Sequence, residues 1–360
     1  MNRFFGKIFI LWIAVTTLGR AQVERIELIG TLTQDAWNSS GGLKSQSGIQ
    51  GNLDLVGNLY LWKNGDFSIR GFFNYGNLLS ESMGDLQVAN NMEAPEGFYL
   101  YELWYQHRWE KGKVILGQQE INNTFAYTTY GSFFVNSSFG IGPEMTVNFP
   151  LSTYPLTGLG LALRQQISPS LELGFGLFDG HPGLDSQTPW SERLALSAQE
   201  GHFWISEIQL NHFGTHKLGF WDYKAEGGSS SYSGYYLMGD IPFHKPGTED
   251  KGWGIFYQLG RTLKQVPFIR AYQGIGCVYR GLFTDNTDGI GMAYGRAQLS
   301  RSWQQQTQQT NERVIELSYD YSPKPWIRIQ PTWQMVFSPA QSSGVSDASV
   351  FFVRLQLGGL

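Results

Sequence analysis

The sequence has a single cysteine, little charge and, after its first twenty residues, no long apolar run. Cys277 has no partner for an intramolecular disulfide and cannot form a cysteine-rich zinc site, so we expect a small buried or lipid-facing residue there. Charged residues make up 16% of the chain, below the roughly 25% of a typical soluble domain. The net charge of -4 excludes the basic surface by which proteins bind nucleic acid. No later segment is long and apolar enough for a transmembrane helix.

Motifs of catalysis and metal binding are also missing. The six histidines show no HExxH spacing, and His212 and His216 fall in a strand-turn-strand pattern that would not align them on one face. Residues 285–289 faintly resemble a calcium loop, but they lack the distal glutamate and consist of ordinary turn residues. No GxSxG elbow precedes a helix. The sequence therefore predicts no catalytic residue, no metal and no cofactor.

The N-terminus has the pattern of a secretory signal. Arg3 and Lys7 precede an apolar stretch from Ile8 to Leu18, and Gly19 and Ala21 are small residues of the kind that a signal peptidase reads. We therefore expect a signal peptide at residues 1–21 and a mature chain at residues 22–360. The alternative, an uncleaved membrane anchor, is disfavoured because the apolar stretch falls short of about 18 residues.

The main pattern of the mature chain is alternation between apolar and polar residues. In the segment after Gly158, Leu159, Leu161 and Leu163 share one parity, while Arg164 lies on the other. Because side chains of a strand point to opposite faces with a period of two, such a segment has one apolar and one polar face.

About sixteen such segments follow one another, separated by turn residues. Each is about ten residues long, which suits a transmembrane strand and an even-numbered bacterial barrel. The predicted strands begin near Glu24, Gly48, Asp66, Phe98, Lys113, Gly158, Ser170, Gly201, Thr215, Ser233, Gly252, Pro267, Gly289, Glu312, Trp326 and Ser349. The sequence thus predicts an all-β fold, a single antiparallel transmembrane β-barrel of the outer-membrane type.

A soluble β-sandwich would also alternate, so the position of aromatic residues matters. Trp62, Trp109, Trp253, Trp303 and Trp326 all lie near predicted strand ends. Outer-membrane barrels have aromatic girdles at both membrane interfaces, so this placement favours the barrel over the sandwich.

One connection, residues 122–157, is unusually long for a compact domain. It is rich in Thr, Ser, Asn and Gly, yet it also contains Tyr127, Phe133, Phe134 and Phe139, an aromatic content that argues against disorder. We favour a loop that folds into the barrel as a constriction. The alternative is that the segment contains one or two further strands.

Short motifs along most of the mature chain resemble one known family. The motifs include Ser40-Gly41-Gly42, Gly51-Asn52-Leu53-Asp54-Leu55, Tyr101-Glu102-Leu103-Trp104-Tyr105, Gly117-Gln118, Asn136-Ser137-Ser138-Phe139-Gly140, Phe178-Asp179-Gly180 and Ala293-Tyr294-Gly295-Arg296. In this order they are similar to the carbohydrate-selective porins of the OprB type. The resemblance implies a sixteen-stranded barrel that passes monosaccharides and similar small neutral solutes without energy input.

Strand parity predicts which side chains line such a channel. The polar face carries both acidic and basic groups, which suits sugar hydroxyls better than ions of one sign, and Trp104 offers an apolar face to a pyranose ring. The predicted pore-lining residues are Asp54, Arg70, Asn74, Glu102, Trp104, Gln106, Arg108, Gln118, Arg164, Arg296 and Glu316, with Glu207, Arg328 and Arg354 as further candidates. The alternative for each charge is that it pairs across the wall and only stiffens the barrel.

We therefore expect an outer-membrane porin for the passive diffusion of small carbohydrates such as glucose. Its expected partners are small sugars and outer-membrane lipid, and it is either a monomer or a homo-oligomer such as a trimer. The rival hypotheses are an outer-membrane enzyme and a secreted β-rich carbohydrate-binding protein.

Overall fold

The chain forms a closed barrel of sixteen antiparallel strands, in which each strand pairs with its neighbours in sequence and β1 closes on β16. The computed structural model describes residues 23–182, 201–228, 230–243, 251–283 and 288–359. The strands are β1 (Arg25–Gly42), β2 (Gln46–Trp62), β3 (Gly65–Gly76), β4 (Gly97–Trp109), β5 (Gly112–Gln119), β6 (Gly158–Ser168), β7 (Leu171–Asp179), β8 (His202–Asn211), β9 (Thr215–Lys224), β10 (Ser231–Phe243), β11 (Gly252–Thr262), β12 (Ile269–Arg280), β13 (Asp288–Leu299), β14 (Asn311–Lys324), β15 (Ile327–Phe337) and β16 (Ser346–Gly358).

The predicted fold class and strand number are confirmed. Each of the sixteen strands begins within three residues of its predicted start. The predicted signal peptide, residues 1–21, lies outside the described residues, as do residues 285–287 of the segment that resembles a calcium loop.

Among the described residues, three short α-helices lie in the connections, at α1 (Ser80–Met83), α2 (Pro143–Thr146) and α3 (Arg301–Thr307). Within the described ranges, no helix has the length and apolarity needed to cross a membrane.

The two faces of the wall differ as the alternation predicts. On β2, Leu53 and Leu55 are exposed on the outer side. Asn52, which has the opposite parity, points inward and is buried. Cys277 lies half-buried on the outward face of β12, opposite Ile255 and Met292 in the register. An apolar outer face of this kind is typical of a barrel surrounded by lipid.

The two ends of the barrel differ in the length of their connections. Turns of two or three residues at 63–64, 110–111, 169–170, 212–214 and 325–326 lie at the same end as both chain termini. The long connections, residues 77–96 and 120–157, lie at the opposite end. Since outer-membrane barrels have short periplasmic turns and long extracellular loops, we assign the short-turn end to the periplasmic side.

An aromatic girdle surrounds the periplasmic end. Trp62, Trp109, Trp253 and Trp326 are exposed there at strand ends, as predicted. Trp303 is an exception, because it lies in α3 in an extracellular connection. Its indole donates a hydrogen bond to the carbonyl of Ala340 at 2.7 Å, so Trp303 packs a loop and is not part of a girdle.

Candidate solute channel

Residues 120–157, which we call the inserted loop, fold back inside the barrel. Two inward carboxylates hold its middle by accepting hydrogen bonds from consecutive backbone N–H groups. Glu316 on β14 binds the N–H groups of Val135 and Asn136, both at 2.8 Å. Asp240 on β10 binds those of Thr129 and Tyr130, at 2.8 and 2.9 Å. Carboxylate hydrogen bonds of this kind are charge-assisted and strong, so they fix the loop against two distant parts of the wall.

Two further glutamates hold the first residues of the inserted loop. Glu102 on β4 accepts hydrogen bonds from the Glu120 N–H at 3.1 Å and from the Asn123 side chain at 2.8 Å. Glu207 on β8 accepts one from the Ala126 N–H at 3.0 Å. The loop is therefore attached to the wall along its length.

Small residues on the wall allow the loop to approach closely. A Cβ atom at Gly254 would overlap the ring of Tyr130, and one at Gly291 would overlap the ring of Phe133. Glycine inside a strand often marks a site where another part of the protein packs tightly. The aromatic side chains of the loop therefore pack against the inner face of β11 to β13.

The aromatic residues of the inserted loop form a core with the wall. Phe134 and Phe139 pack against each other and against Phe256 of β11, with ring centroids 5.3 to 5.8 Å apart. Residues 120–157 contain no strand beyond one isolated bridge between Thr153 and Leu156. The structure therefore contradicts the alternative of further strands in this segment.

A second loop, residues 77–96, also folds inward. Glu312 on β14 accepts hydrogen bonds from the N–H groups of Leu86 and Gln87, at 2.9 and 2.8 Å. Arg354 on β16 donates to the side chains of Asn90 and Asn91, at 2.8 and 3.0 Å. Together the two loops fill much of the barrel.

A cavity of about 990 Å³ remains between the two loops and the inner wall of β1 to β4 and β14 to β16. Three ion pairs reach it, each between neighbouring strands. Arg70 pairs with Asp54 at 2.5 Å, Arg328 with Asp320 at 2.8 Å, and Arg354 with Asp35 at 2.9 Å. Arginine and carboxylate groups thus lie side by side, so the cavity combines donors and acceptors and has no single sign of charge.

Aromatic rings line one side of the same cavity. Tyr154 of the inserted loop stacks on Phe72 with centroids 5.1 Å apart, and Tyr101 meets Phe72 edge-on at 5.4 Å. The guanidinium of Arg70 lies over the Tyr101 ring, 5.0 Å from its centroid. The cavity therefore offers apolar faces beside hydrogen-bonding groups, a combination that suits sugar rings.

The structure brings some of the predicted pore-lining residues together at this cavity. Asp54 and Arg70 line it directly, as do Arg328 and Arg354. Glu102 and Glu316, with Glu207, point inward but are covered, because their carboxylates hold the inserted loop.

Other predicted residues point inward but lie away from the cavity. Trp104 packs at the edge of an apolar cluster around Phe125 and Phe178. Arg108 pairs with Asp66 near the periplasmic end, and Gln106 donates to the same carboxylate at 3.2 Å. These side chains stabilise the wall and do not reach the cavity.

Arg164 lies on the opposite wall, where acidic groups surround it. Its guanidinium binds Glu172 at 2.5 Å, Glu207 at 2.6 Å and the Gln209 amide at 2.9 Å. Arg164 therefore forms ion pairs along the wall, which is the alternative to a pore-lining role.

Asn74 and Gln118 are fully buried, which corrects their prediction as pore-lining. Asn74 points inward, but the second loop and Tyr154 cover it. Gln118 shares the outward parity of Leu103, and its amide donates to the backbone carbonyl of Leu100 at 2.8 Å. It therefore supports the irregular part of β4 from within the wall.

Arg296 also corrects the prediction, because it points away from the barrel interior. On β13 the exposed residues Met292 and Tyr294 share its parity, whereas Ala293 and Ala297 point inward and are buried. The inner face of β13 is made of small residues because other groups pack against it. The polar residue is therefore on the outer side, opposite to the usual rule.

Several groups at the cavity were missed from sequence. Asp35, Asp320 and Glu93 all lie on or next to it. For Asp35 a signal was available, since it shares the inward parity of Thr33 on β1. Glu93 lies in a connection, where parity gives no direction.

A family model matches the sequence of the chain, and solved porin structures share its fold. The family model of the carbohydrate-selective porins of the OprB family matches residues 46–239 and 223–358. OprB from Pseudomonas putida, in its high-pH structure, has 17% identity and a TM-score of 0.83, over 92% of this chain and 94% of that one. The anion-selective porin from Comamonas acidovorans has 12% identity and a TM-score of 0.60, over 93% and 99% of the two chains. No curated protein sequence matches the chain.

Proposed function

Because the chain belongs to the OprB family of carbohydrate-selective porins, we propose that small sugars cross along the cavity between the inserted loop and the wall strands β1 to β4 and β14 to β16. The protein is an outer-membrane porin through which small carbohydrates diffuse passively. The observation that carries the proposed path is the cavity itself, which combines paired charges with aromatic faces. The inserted loop is the constriction, since it occupies most of the interior beside that cavity.

The proposed mechanism needs no chemical step. A sugar that enters the constriction loses part of its water shell, and the loss is offset by hydrogen bonds to Arg70, Asp54 and Glu120. Its apolar ring face can stack on Tyr154. Since the arginines are paired with carboxylates, neither anions nor cations gain a strong advantage. The sites bind weakly, so the sugar also leaves readily.

The Arg70 side chain should contribute directly to sugar permeation. In the Arg70→Ala variant we expect glucose permeation to fall about fivefold relative to glycerol, since one lost hydrogen bond is worth about 1 kcal/mol. Swelling of liposomes in glucose and glycerol measures the ratio. Arg301→Ala, an exposed arginine in α3, is the matched control and should leave the ratio unchanged. An unchanged glucose rate in Arg70→Ala would remove this residue from the path.

Glu102→Ala tests, in the same assay, how the inserted loop is attached to the wall. Because Glu102 holds the first residues of the inserted loop, we expect both glucose and glycerol to permeate faster, with a smaller difference between them. A selective loss of glucose permeation alone would instead place Glu102 in direct contact with the sugar.

The ion selectivity of the channel should depend on pH through Glu93 of the second loop. Burial, with Asp85 nearby, raises the pKa of Glu93 to about 7. Below this value the carboxyl is neutral, and as the pH rises through it the cavity gains a negative charge. Reversal potentials in a salt gradient should therefore shift towards cations between about pH 6 and pH 8. The Glu93→Gln variant should lose that shift, and its persistence there would contradict the assignment.

The remaining expectations concern the extent of the chain and its partners. We propose that residues 1–21 are removed as a secretory signal and that residues 22–360 form one barrel domain. Lipid contacts the outward apolar face, and the protein is a monomer or a trimer. Steady conductance in planar bilayers would support a channel without enzymatic activity, whereas an enzyme with a filled barrel should give no steady current.

A further inference from the structure

Two arginines lie side by side on the outward face of the barrel, near its extracellular end. Arg296 on β13 and Arg313 on β14 are direct partners in the strand register. Arg313 is exposed and Arg296 is half-buried, and both share the outward parity of Tyr294 and Ile315. Directly opposed residues of antiparallel strands have Cα atoms about 5 Å apart, so two positive charges are held together.

Neither guanidinium has a carboxylate partner within the described part of the chain. The inward arginines differ, because Arg70, Arg328 and Arg354 each bind an aspartate. Among the outward positions of β13 and β14 the acidic residue is Asp288, which lies at the opposite, periplasmic end of β13, eight positions from Arg296. Adjacent like charges are unfavourable on a strand pair unless a counter-charge is supplied from outside the chain.

The two arginines border a groove of about 520 Å³. Gln308 in the connection after α3 and Asn311 at the start of β14 form its upper wall, and Ser338 contributes a hydroxyl. The guanidinium of Arg313 lies over the ring of Phe337, 5.3 Å from its centroid, which positions the group, and its N–H donors have no acceptor among the described residues. The groove therefore combines two guanidinium groups with neutral hydrogen-bonding groups, an arrangement that suits the binding of phosphate.

The position of the groove along the barrel axis places it near the headgroups of the outer leaflet. Tyr321, at the periplasmic end of β14, is eight positions from Arg313 on the same outward face. Eight residues of antiparallel strand span about 27 Å, or roughly 20 Å along the axis of a barrel whose strands tilt by about 40°. The apolar band of such barrels is about 25 Å tall, so with Tyr321 at its lower edge the arginines lie about 5 Å below the upper boundary, which their long side chains can reach.

We infer that this groove binds a phosphorylated lipid headgroup of the outer leaflet. A second copy of the chain is a poorer occupant, because a two-fold contact through this face would bring four arginines together. A lipid phosphate supplies the missing charge, and its acyl chains continue along the apolar face below, at Met292 and Leu317. The inference rests on the orientation of the barrel in the outer membrane and not on the proposed sugar path.

Binding of lipid A to the purified full barrel in detergent tests the inference. By native mass spectrometry, bisphosphorylated lipid A should bind at least about tenfold more tightly than the same lipid after phosphatase treatment, since charge-assisted hydrogen bonds are lost. The Arg296→Gln/Arg313→Gln variant should lose this difference. Arg301→Gln, whose exposed arginine lies in α3 outside the groove, should retain it.

Three results would overturn the inference. They are equal binding of the two lipids to the unaltered protein, an undiminished preference in the double variant, and full displacement of lipid A by millimolar inorganic phosphate, which would indicate a site for free phosphate. The comparison on the unaltered protein needs no variant and therefore stands if the double variant fails to fold. Glucose permeation of the double variant should be unchanged, so failure here would leave the proposed sugar path untouched.

Discussion

The Asp240→Ala/Glu316→Ala variant is expected to conduct at least about twice as much current as the unaltered channel, since conductance follows the narrowest cross-section of the pore. These carboxylates hold the middle of the inserted loop through four backbone N–H groups. Without them, the buried N–H groups lose their acceptors, at a cost of about 1–3 kcal/mol for each unsatisfied group. Release of the loop from the wall lets water accept hydrogen bonds from these N–H groups, which relieves that cost and opens the constriction.

Single-channel recordings in planar bilayers measure this effect, and permeation of a disaccharide relative to glucose should rise with it. The matched control is Glu81→Ala/Glu96→Ala, which removes two exposed carboxylates of the second loop and changes the net charge equally. The control should leave the conductance close to that of the unaltered protein. If the first variant folds and keeps both its conductance and its discrimination between sugars, the inserted loop is not held by Asp240 and Glu316.

The second large effect is expected from Asp35→Ala. Asp35 on β1 and Arg354 on β16 are register partners at the closure of the barrel, and both carboxylate oxygens accept hydrogen bonds from the guanidinium at 2.9 Å. Removal of Asp35 leaves a buried arginine without its counter-charge, which we expect to lower the free energy of unfolding by about 3 kcal/mol. Arg354 would also become an unpaired positive charge beside the cavity, so anion permeation should increase.

Urea unfolding of the barrel in lipid vesicles, followed by tryptophan fluorescence, measures the loss of stability. The loss of stability in Asp35→Ala/Arg354→Ala should be smaller than the sum of the losses in the two single variants, because neither charge then remains without its partner. Glu27→Ala provides the control, since Glu27 and Arg25 form an exposed pair at 3.8 Å that should contribute little to stability. Equal losses for Asp35→Ala and Glu27→Ala would show that the closure of the barrel does not depend on the buried pair.

Parity was reliable where a strand has lipid on one side and polar groups on the other. Leu53 and Asp54 of β2 follow this rule, and Asp54 reaches the cavity as predicted. It failed on β13, where the inward residues Ala293 and Ala297 are small and Arg296 faces outward. The usual polar lining is replaced there because protein, and not water, fills the space next to the strand. Inward glycines such as Gly254 and Gly291 are the feature of the sequence that could have indicated this close packing.

The barrel, its strand number and most outward faces were predictable from the amino-acid pattern alone, because alternation is a local property that each segment displays without reference to the others. The pattern also marked the long connection at residues 122–157 as structured, through its aromatic residues. The pattern could not show which inward groups remain open to a solute. That choice depends on contacts such as Glu316 with Val135, 181 positions apart in the chain, through which the inserted loop covers one side of the lumen and leaves the other free.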